Sequence, residues 1–200
     1  MKMKMFIGGL VAGCALSMLM AMAIMPNQDP ADMDKMMQEV MEKYMAPSDE
    51  HAELAKRVGE WNTDLTMWNY PGAAPETMGG SCRYSMIMDG RYLFVEYKSE
   101  YMGMPFEGAG LTGYDRIKNQ YQNLWVDNMG TSMAISEGTR KGDTITFTGD
   151  MPNPMMGNYV KSRSTEQTID DDTFVMKMYM PGPDGEEFKS MEITYTRIVD

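Results

Sequence analysis

The chain has 200 residues, of which 43% are hydrophobic, and this size and composition suit one globular domain with its own core. It carries 18 basic against 29 acidic side chains, a net charge of −11 at pH 7, so nucleic acids and anionic lipid surfaces would be repelled. We therefore expect no nucleic-acid partner, and contact with a membrane only through an N-terminal leader.

Residues 1–25 have the pattern of such a leader. The chain begins Met-Lys-Met-Lys, and residues 5–25 are uncharged, which gives the basic and apolar regions of a signal peptide. The small residue Ala23 predicts cleavage directly after it. Two alternatives stay open, because Cys14 ends a lipobox-like Val-Ala-Gly-Cys and would then be acylated, while the uncharged run is also long enough for an uncleaved anchor. Cleavage, acylation and anchoring all predict that residues 30–200 lie outside the cytoplasmic membrane, in the periplasm.

Removal of the leader changes both the charge and the cysteine content. Loss of Lys2 and Lys4 leaves 16 basic against 29 acidic residues, a net charge of −13. Cys82 becomes the lone cysteine, so an intrachain disulfide is excluded and stability must come from the core.

An amphipathic helix is predicted in residues 26–47, before the first strand. Asp29 can cap this helix, and Pro30 suits its first turn. A second short helix is predicted over residues 48–58, with Ser48 as its cap. Large side chains recur at helical spacing in the first helix and give it a methionine stripe: Met33, Met36, Met37, Val40, Met41, Tyr44 and Met45.

From Gly59 onward the hydrophobic period is two residues, which is typical of half-buried strands. Short, evenly spaced strands separated by hairpin turns predict an all-β domain over residues 48–200. We expect an antiparallel up-and-down β-barrel of about ten strands, because closure removes the exposed edges. After the first strand, which begins at Gly59, strands are predicted near 79–88, 91–101, 107–115, 119–127, 131–138, 143–150, 158–169, 173–180 and 187–198.

Several short motifs are spread over this predicted barrel. They are the segment from Leu54 to Trp61, Gly90-Arg91-Tyr92-Leu93, Phe106-Glu107-Gly108, Gly110-Leu111-Thr112-Gly113-Tyr114-Asp115, Trp125-Val126-Asp127-Asn128 and Gly182-Pro183-Asp184-Gly185. Together they resemble an uncharacterised bacterial family, the domain of unknown function DUF1579, over residues 48–198. That family resembles the calycin group, which contains lipocalins, fatty-acid-binding proteins and nitrobindins. The calycin likeness rests mainly on Gly59-Glu60-Trp61 and on Arg197.

The calycin likeness implies a structural role for two residues and argues against one cofactor. In calycins a tryptophan closes one end of the barrel and a late arginine packs across it, so the likeness implies that Trp61 and Arg197 form a plug. The alternative is that Trp61 is an ordinary core aromatic and Arg197 a surface charge. A nitrobindin-like haem site would need a histidine late in the chain, whereas His51 precedes the first strand. We expect no cofactor.

Methionine is unusually frequent, with 20 in residues 26–200 against five leucines. One interpretation is soft-metal binding, because thioethers select Cu(I). The interpretation that we favour is that methionine replaces leucine as a pliable core filler, and a lumen lined in this way would adapt to varied apolar ligands. We therefore expect no metal site. The candidate ligand-contacting residues are Tyr84, Met86, Tyr114, Trp125, Asp127, Met176 and Met178.

Common catalytic motifs are absent from the sequence. It contains no G-x-S-x-G, P-loop or H-E-x-x-H, and a Ser-His-Asp triad would have to use His51. A binding protein is therefore expected rather than an enzyme, and we nominate no catalytic residue. The first hypothesis is a secreted, periplasmic barrel whose lumen binds a small hydrophobic or amphipathic ligand. The alternative is a non-enzymatic interaction or structural protein of the cell envelope that uses the methionine-rich helix.

Overall fold

A computed structural model describes residues 29–199 of the protein. The predicted leader, with Ala23 and Cys14, lies outside the described residues. The chain divides after Met45 into two compact units. The first contains helix α1 (Pro30–Val40) and a π-helical turn (Met41–Met45), and the second contains helix α2 (Asp49–Ala55) and the strands. Among residues 29–199, each helix is too short or too polar to cross a lipid bilayer.

Residues 59–197 form ten antiparallel strands that close into a barrel, in the spatial order β1-β10-β9-β8-β7-β6-β5-β4-β3-β2. Each strand pairs with its neighbours in sequence, and β1 pairs with β10 with Trp61 opposite Arg197. This confirms the predicted all-β, up-and-down barrel of about ten strands preceded by short helices. The strands are β1 (Gly59–Met67), β2 (Glu76–Ile87), β3 (Tyr92–Tyr101), β4 (Met104–Asp115), β5 (Gln120–Asp127), β6 (Ala134–Lys141), β7 (Thr144–Asn153), β8 (Asn158–Asp170), β9 (Thr173–Pro181) and β10 (Glu187–Arg197).

The inward faces of the strands form the core. On β3 both faces carry large side chains, and the face with Leu93, Val95 and Tyr97 points inward, because Leu93 and Tyr97 are buried while Tyr92 is 41% exposed. The residues of this core are mostly aromatic or branched: Leu54, Trp61, Leu65, Tyr84, Leu93, Tyr97, Tyr121, Ile145, Phe147, Phe174, Ile193 and Tyr195.

Helix α2 lies at one end of the barrel, directly before β1. His51 in its first turn is buried, and its Nδ1 accepts a hydrogen bond from the backbone N–H of Ser48 at 3.0 Å. This contact satisfies one of the backbone donors that a helix start leaves without partners. Nearby, Arg116 in the β4–β5 turn donates from Nη1 to the carbonyl of Ala46 at 2.9 Å. The turn and the start of the domain are thereby joined.

Candidate ligand-binding site

The barrel encloses a cavity of about 320 Å³. It extends from Arg57 and Glu166, near the α2 end, to Asp127 and Met151, near the opposite end. This volume is at the lower end of the range that small-molecule sites occupy in proteins. The cavity is therefore large enough for a short acyl chain or a small ring system.

One wall of the cavity is apolar. It is built from inward-facing residues of β1, β3, β9 and β10, where alternate side chains share one face of the sheet. Methionine supplies much of this surface, and its flexible thioether side chain lets the wall fit ligands of different shape. The apolar residues of this wall are Leu65, Leu93, Val95, Met176, Met178, Met191 and Ile193.

The indole of Trp125 lies against the inner surface of β4, where two glycines make room for it. A Cβ on Gly108 would overlap the Trp125 ring, and a Cβ on Gly110 would lie 3.2 Å from its Cε3. Trp125 Nε1 donates to Asp127 Oδ2 at 3.0 Å, and the backbone N–H of Met129 donates to Asp127 Oδ1 at 3.0 Å. The carboxylate therefore fixes the orientation of an aromatic side chain that faces the cavity.

The cavity also has a polar wall, which β8 forms between the apolar side chains of β9 and those of Phe147 and Met151 on β7. On β8 the inward positions are Ser162, Ser164 and Glu166, so an entire stretch of this strand presents hydrogen-bonding groups to the lumen. Asn123 on β5 donates from Nδ2 to Thr112 Oγ1 at 2.8 Å, and both residues line the cavity. The lumen thus has a polar wall on β8 within a largely apolar lining, as an amphipathic ligand would require.

A buried ion pair closes the cavity at its α2 end. Arg57 Nη1 contacts Glu166 Oε2, and the side chains of the two residues are only 11% and 19% exposed. The guanidinium carbon also lies 4.5 Å from the ring centroid of Phe174. Burial opposes the charge of Arg57 and is the largest single effect, but the charge and hydrogen bond of Glu166 together with Tyr84 and Tyr195 outweigh it, so the pKa of Arg57 lies above its usual value.

Two phenols near this ion pair stay protonated. Burial raises the pKa values of Tyr84 and Tyr195 well above that of free tyrosine, and the nearby charge of Glu166 raises them further. Both side chains line the cavity. They therefore present neutral hydroxyl groups to the lumen at any physiological pH.

The structure places five of the seven candidate ligand-contacting residues on the cavity surface: Tyr84, Trp125, Asp127, Met176 and Met178. Met86 and Tyr114 are not among the lining residues, although both pack against the core. The ring of Tyr114 lies 4.9 Å from that of Tyr121 and 6.1 Å from that of His51, so it belongs to the packing below α2.

The proposed plug residues are in contact at the same end of the barrel. Trp61 is buried, and its Nε1 donates to the backbone carbonyl of Arg57 at 2.9 Å. The guanidinium carbon of Arg197 lies 4.2 Å from the centroid of the indole. Any route for a ligand through this end would have to disrupt these contacts.

A second cavity, of about 300 Å³, lies between α2 and the β6–β7 and β8–β9 turns. Among its charged residues, Glu53 pairs with Lys56 at 2.6 Å and with Arg140 at 3.1 Å. Within residues 29–199, no group of three or more His, Cys, Asp or Glu side chains is arranged to hold a metal ion. We therefore treat the lumen as the candidate site.

Sequence reasoning missed the polar residues of the lumen. Arg57 lies in the segment that was predicted to be the end of the second helix, whereas α2 ends at Ala55 and Arg57 lines the cavity. Ser162, Ser164 and Glu166 were not predicted to face inward, because polar residues occupy both faces of β8 and alternation gives no signal there.

Comparison with solved structures finds chains that are similar to this one. The chain is 13% identical to Rv2717c from M. tuberculosis, with a TM-score of 0.56, over 77% of this chain and 100% of that one. It also matches a redesigned β-barrel with 15% identity and a TM-score of 0.40, over 73% of this chain and 95% of that one. A second redesigned barrel, mFAP1 bound to DFHBI, matches with 17% identity and a TM-score of 0.36, over 72% and 97%.

A search of curated proteins finds no match. The model of one protein family matches residues 46–197, which include α2 and the complete barrel. That family is described as "Protein of unknown function (DUF1579)". The match covers more than half of the chain, so the protein belongs to the DUF1579 family.

Proposed function

We propose that this domain binds a small amphipathic ligand inside its barrel. The observation that supports this function best is a cavity of about 320 Å³ that combines a methionine-rich wall with hydroxyl, amide and carboxylate groups elsewhere in its lining. A lumen that only supported the fold would be better filled, because empty space in a core costs stability. The ligand would lie with its apolar part against β9 and β10 and its polar part against β8.

We also propose that the barrel is located in the periplasm and that it is related to the calycins. The leader-like residues 1–25 favour secretion into the periplasm, by cleavage after Ala23, acylation of Cys14 or retention as an anchor. The contact between Trp61 and Arg197 at one end of the barrel supports kinship with the calycins. With that end closed, the ligand would enter from the end that carries Asp127 and Met151.

To test this function, we place a larger side chain on the polar wall, where it fills part of the cavity. Ser164 faces the lumen, and the next residue on β8, Thr165, is not part of the lining. We compare Ser164→Phe with Thr165→Phe, because both add the same ring to the same strand on opposite faces. Binding is measured with 1-aminoanthracene, a neutral fluorescent apolar probe.

We expect the unchanged protein and the Thr165→Phe variant to bind the probe with similar affinity. Ser164→Phe should weaken binding by about tenfold or more, since the new ring occupies part of the space that the probe needs. Native mass spectrometry of protein purified from its host should also show a bound small molecule. Failure of the unchanged protein to bind the probe, together with no copurifying molecule, would overturn the proposal.

The alternative function, an interaction made by the methionine-rich helix, needs accessible methionines. Met41 and Tyr44, in the turn after α1, are 44% and 38% exposed. Mild peroxide treatment of the isolated monomer should then oxidise Met41 quickly, whereas the lumen residue Met176 should react slowly. Equal protection of both methionines would argue against this alternative.

A further inference from the structure

The charges around the lumen are not balanced. Among the described residues that line the cavity, one is basic, Arg57, and three are acidic, Asp127, Asp150 and Glu166. The side chain of Asp150 points out of the lumen, because it alternates with the inward-facing Met151 on β7, and Lys161 Nζ lies 2.8 Å from its Oδ1 on the outer surface. Asp127 holds the Trp125 indole. The inward-facing charges of the lumen are therefore two carboxylates, those of Asp127 and Glu166, and a single cation, Arg57, at the α2 end.

That cation already has a partner. Glu166 contacts the guanidinium of Arg57, and Phe174 covers one of its faces. An incoming carboxylate would have to bind Arg57 beside the like charge of Glu166 or displace Glu166, whose own carboxylate would then be buried without a partner. Breaking a buried ion pair in this way is strongly unfavourable. A neutral polar group meets no such penalty, because Ser164, Ser136 and the phenols of Tyr84 and Tyr195 offer hydrogen bonds without charge.

We propose that the lumen selects ligands by the charge of their polar end, binding neutral amphipaths such as alcohols and amides and rejecting carboxylates that carry the same apolar tail. This inference rests on the proposed function, and it assigns Glu166 as the residue that determines specificity. Glu166 acts by keeping Arg57 occupied, so that the one cation of the lumen lining in residues 29–199 is withheld from anions.

The test compares 1-octanol with octanoate, which share a short tail and differ in the charge of the polar end. We measure how well each ligand displaces 1-aminoanthracene from the protein. The salt concentration is about 0.5 M, so that long-range repulsion by the acidic surface is screened. We expect octanol to bind about tenfold more tightly than octanoate, or better. Equal affinities would overturn the inference. Displacement by neither ligand, together with no binding of the probe, would instead contradict the proposed function itself.

The variant Glu166→Gln removes the negative charge of the side chain that pairs with Arg57 and keeps its shape. Octanoate should gain about tenfold in affinity relative to octanol, because Arg57 is released. In the double variant Arg57→Gln/Glu166→Gln the gain should disappear. The matched control is Glu187→Gln, since Glu187 pairs with Arg163 at 2.8 Å on the outer surface and its loss changes the net charge equally. An equal gain in the Glu187→Gln control would contradict the inference.

A second pair of variants tests the same inference without changing the buried ion pair. It can be used if Glu166→Gln does not fold. Ser164→Arg adds a free cation to the polar wall, and Thr165→Arg adds the same charge to the outer face of β8. Octanoate should gain affinity in the first variant and not in the second. If neither variant changes the ratio of octanol to octanoate affinity, charge inside the lumen does not control selection and the inference fails.

Discussion

The guanidinium of Arg197, on the last strand, lies over the indole of Trp61, on the first strand, with 4.2 Å between its central carbon and the ring centroid. The same side chain donates to three backbone carbonyls: Val58 at 2.7 Å, Lys56 at 2.7 Å and Asp171 at 3.0 Å. Arg197 therefore joins the segment before β1, the β8–β9 turn and the end of β10. A planar group with several donors is needed for this arrangement, and lysine cannot reproduce it.

We predict that Arg197→Lys lowers the free energy of unfolding by about 2 kcal/mol, because the charge is kept while most of the carbonyl contacts and the stacking are lost. Urea unfolding followed by tryptophan fluorescence measures this change. The control is Arg163→Lys, since Arg163 lies 3.9 Å over the ring of Tyr179 on the outer surface. Its replacement should cost less than about 1 kcal/mol. Equal losses in the two variants would show that Arg197 is an ordinary surface arginine.

His51 makes the stability of the domain depend on pH. Burial lowers the pKa of His51 below its usual value, and protonation of Nδ1 would remove the acceptor for the N–H of Ser48. The unfolded chain then binds the proton more readily than the folded chain, so the free energy of unfolding falls as the pH drops below about 6.5. The effect of Glu50 is separate, because its hydrogen bond with Ser48 lowers the pKa of a carboxyl that titrates at more acidic pH.

The matched variant is His51→Gln, because glutamine at this position can still accept a hydrogen bond from the helix cap and does not titrate. Urea unfolding at a series of pH values from neutral to mildly acidic should show a decline in the unchanged protein and a flatter profile in the variant. If both proteins lose stability in parallel over this range, His51 is not the group responsible.

The barrel was predictable because its signal is periodic. On β1 the residues Trp61, Thr63 and Leu65 are buried and their neighbours are exposed, so the period of two residues identified both the strand and its inward face. The predicted boundaries agree with most of the strands to within a few residues. Where both faces carry large residues, as on β3, alternation could not select between them, and only the closed sheet shows that Leu93 and Tyr97 face inward.

The site was only partly predictable, because alternation gives the face of a residue and not its height along the barrel. Tyr114 and Trp125 both point inward, yet Tyr114 lies beside Tyr121 and His51 at the α2 end while Trp125 lines the cavity. Height depends on the stagger between strands, which is a property of the whole sheet. The pairing of Arg57 with Glu166 is equally invisible in sequence, since 109 positions separate the two residues.

Cys82 should be chemically inert in the folded protein. It is 5% exposed, and burial raises the pKa of its thiol to about 12, so little of the reactive thiolate exists near neutral pH. Treatment with iodoacetamide at mildly alkaline pH should leave Cys82 unmodified until denaturant is added. Peptide mapping by mass spectrometry separates Cys82 from Cys14. Modification of the native protein at the rate of the unfolded chain would contradict the buried position.

Gly108 should be required for the position of Trp125 and therefore for the shape of the lumen. A Cβ at this position would lie 2.7 Å from Cη2 of the indole and would overlap Cζ2, so in Gly108→Ala the ring must move into the cavity and away from Asp127. We expect a loss of about 1 to 3 kcal/mol in the free energy of unfolding and weaker binding of 1-aminoanthracene.

The control for this prediction is Gly79→Ala, since Gly79 also lies within a strand but a Cβ there would meet nothing closer than the carbonyl oxygen of Thr63 at 3.9 Å. Both substitutions reduce the freedom of the unfolded chain equally, so a difference between them reports the contact with Trp125. Urea unfolding and probe binding should separate the two variants. If Gly108→Ala matches Gly79→Ala in both measurements, the position of the Trp125 indole does not depend on the absence of a side chain at residue 108. The contact between Gly108 and Trp125 would then not determine the shape of the lumen.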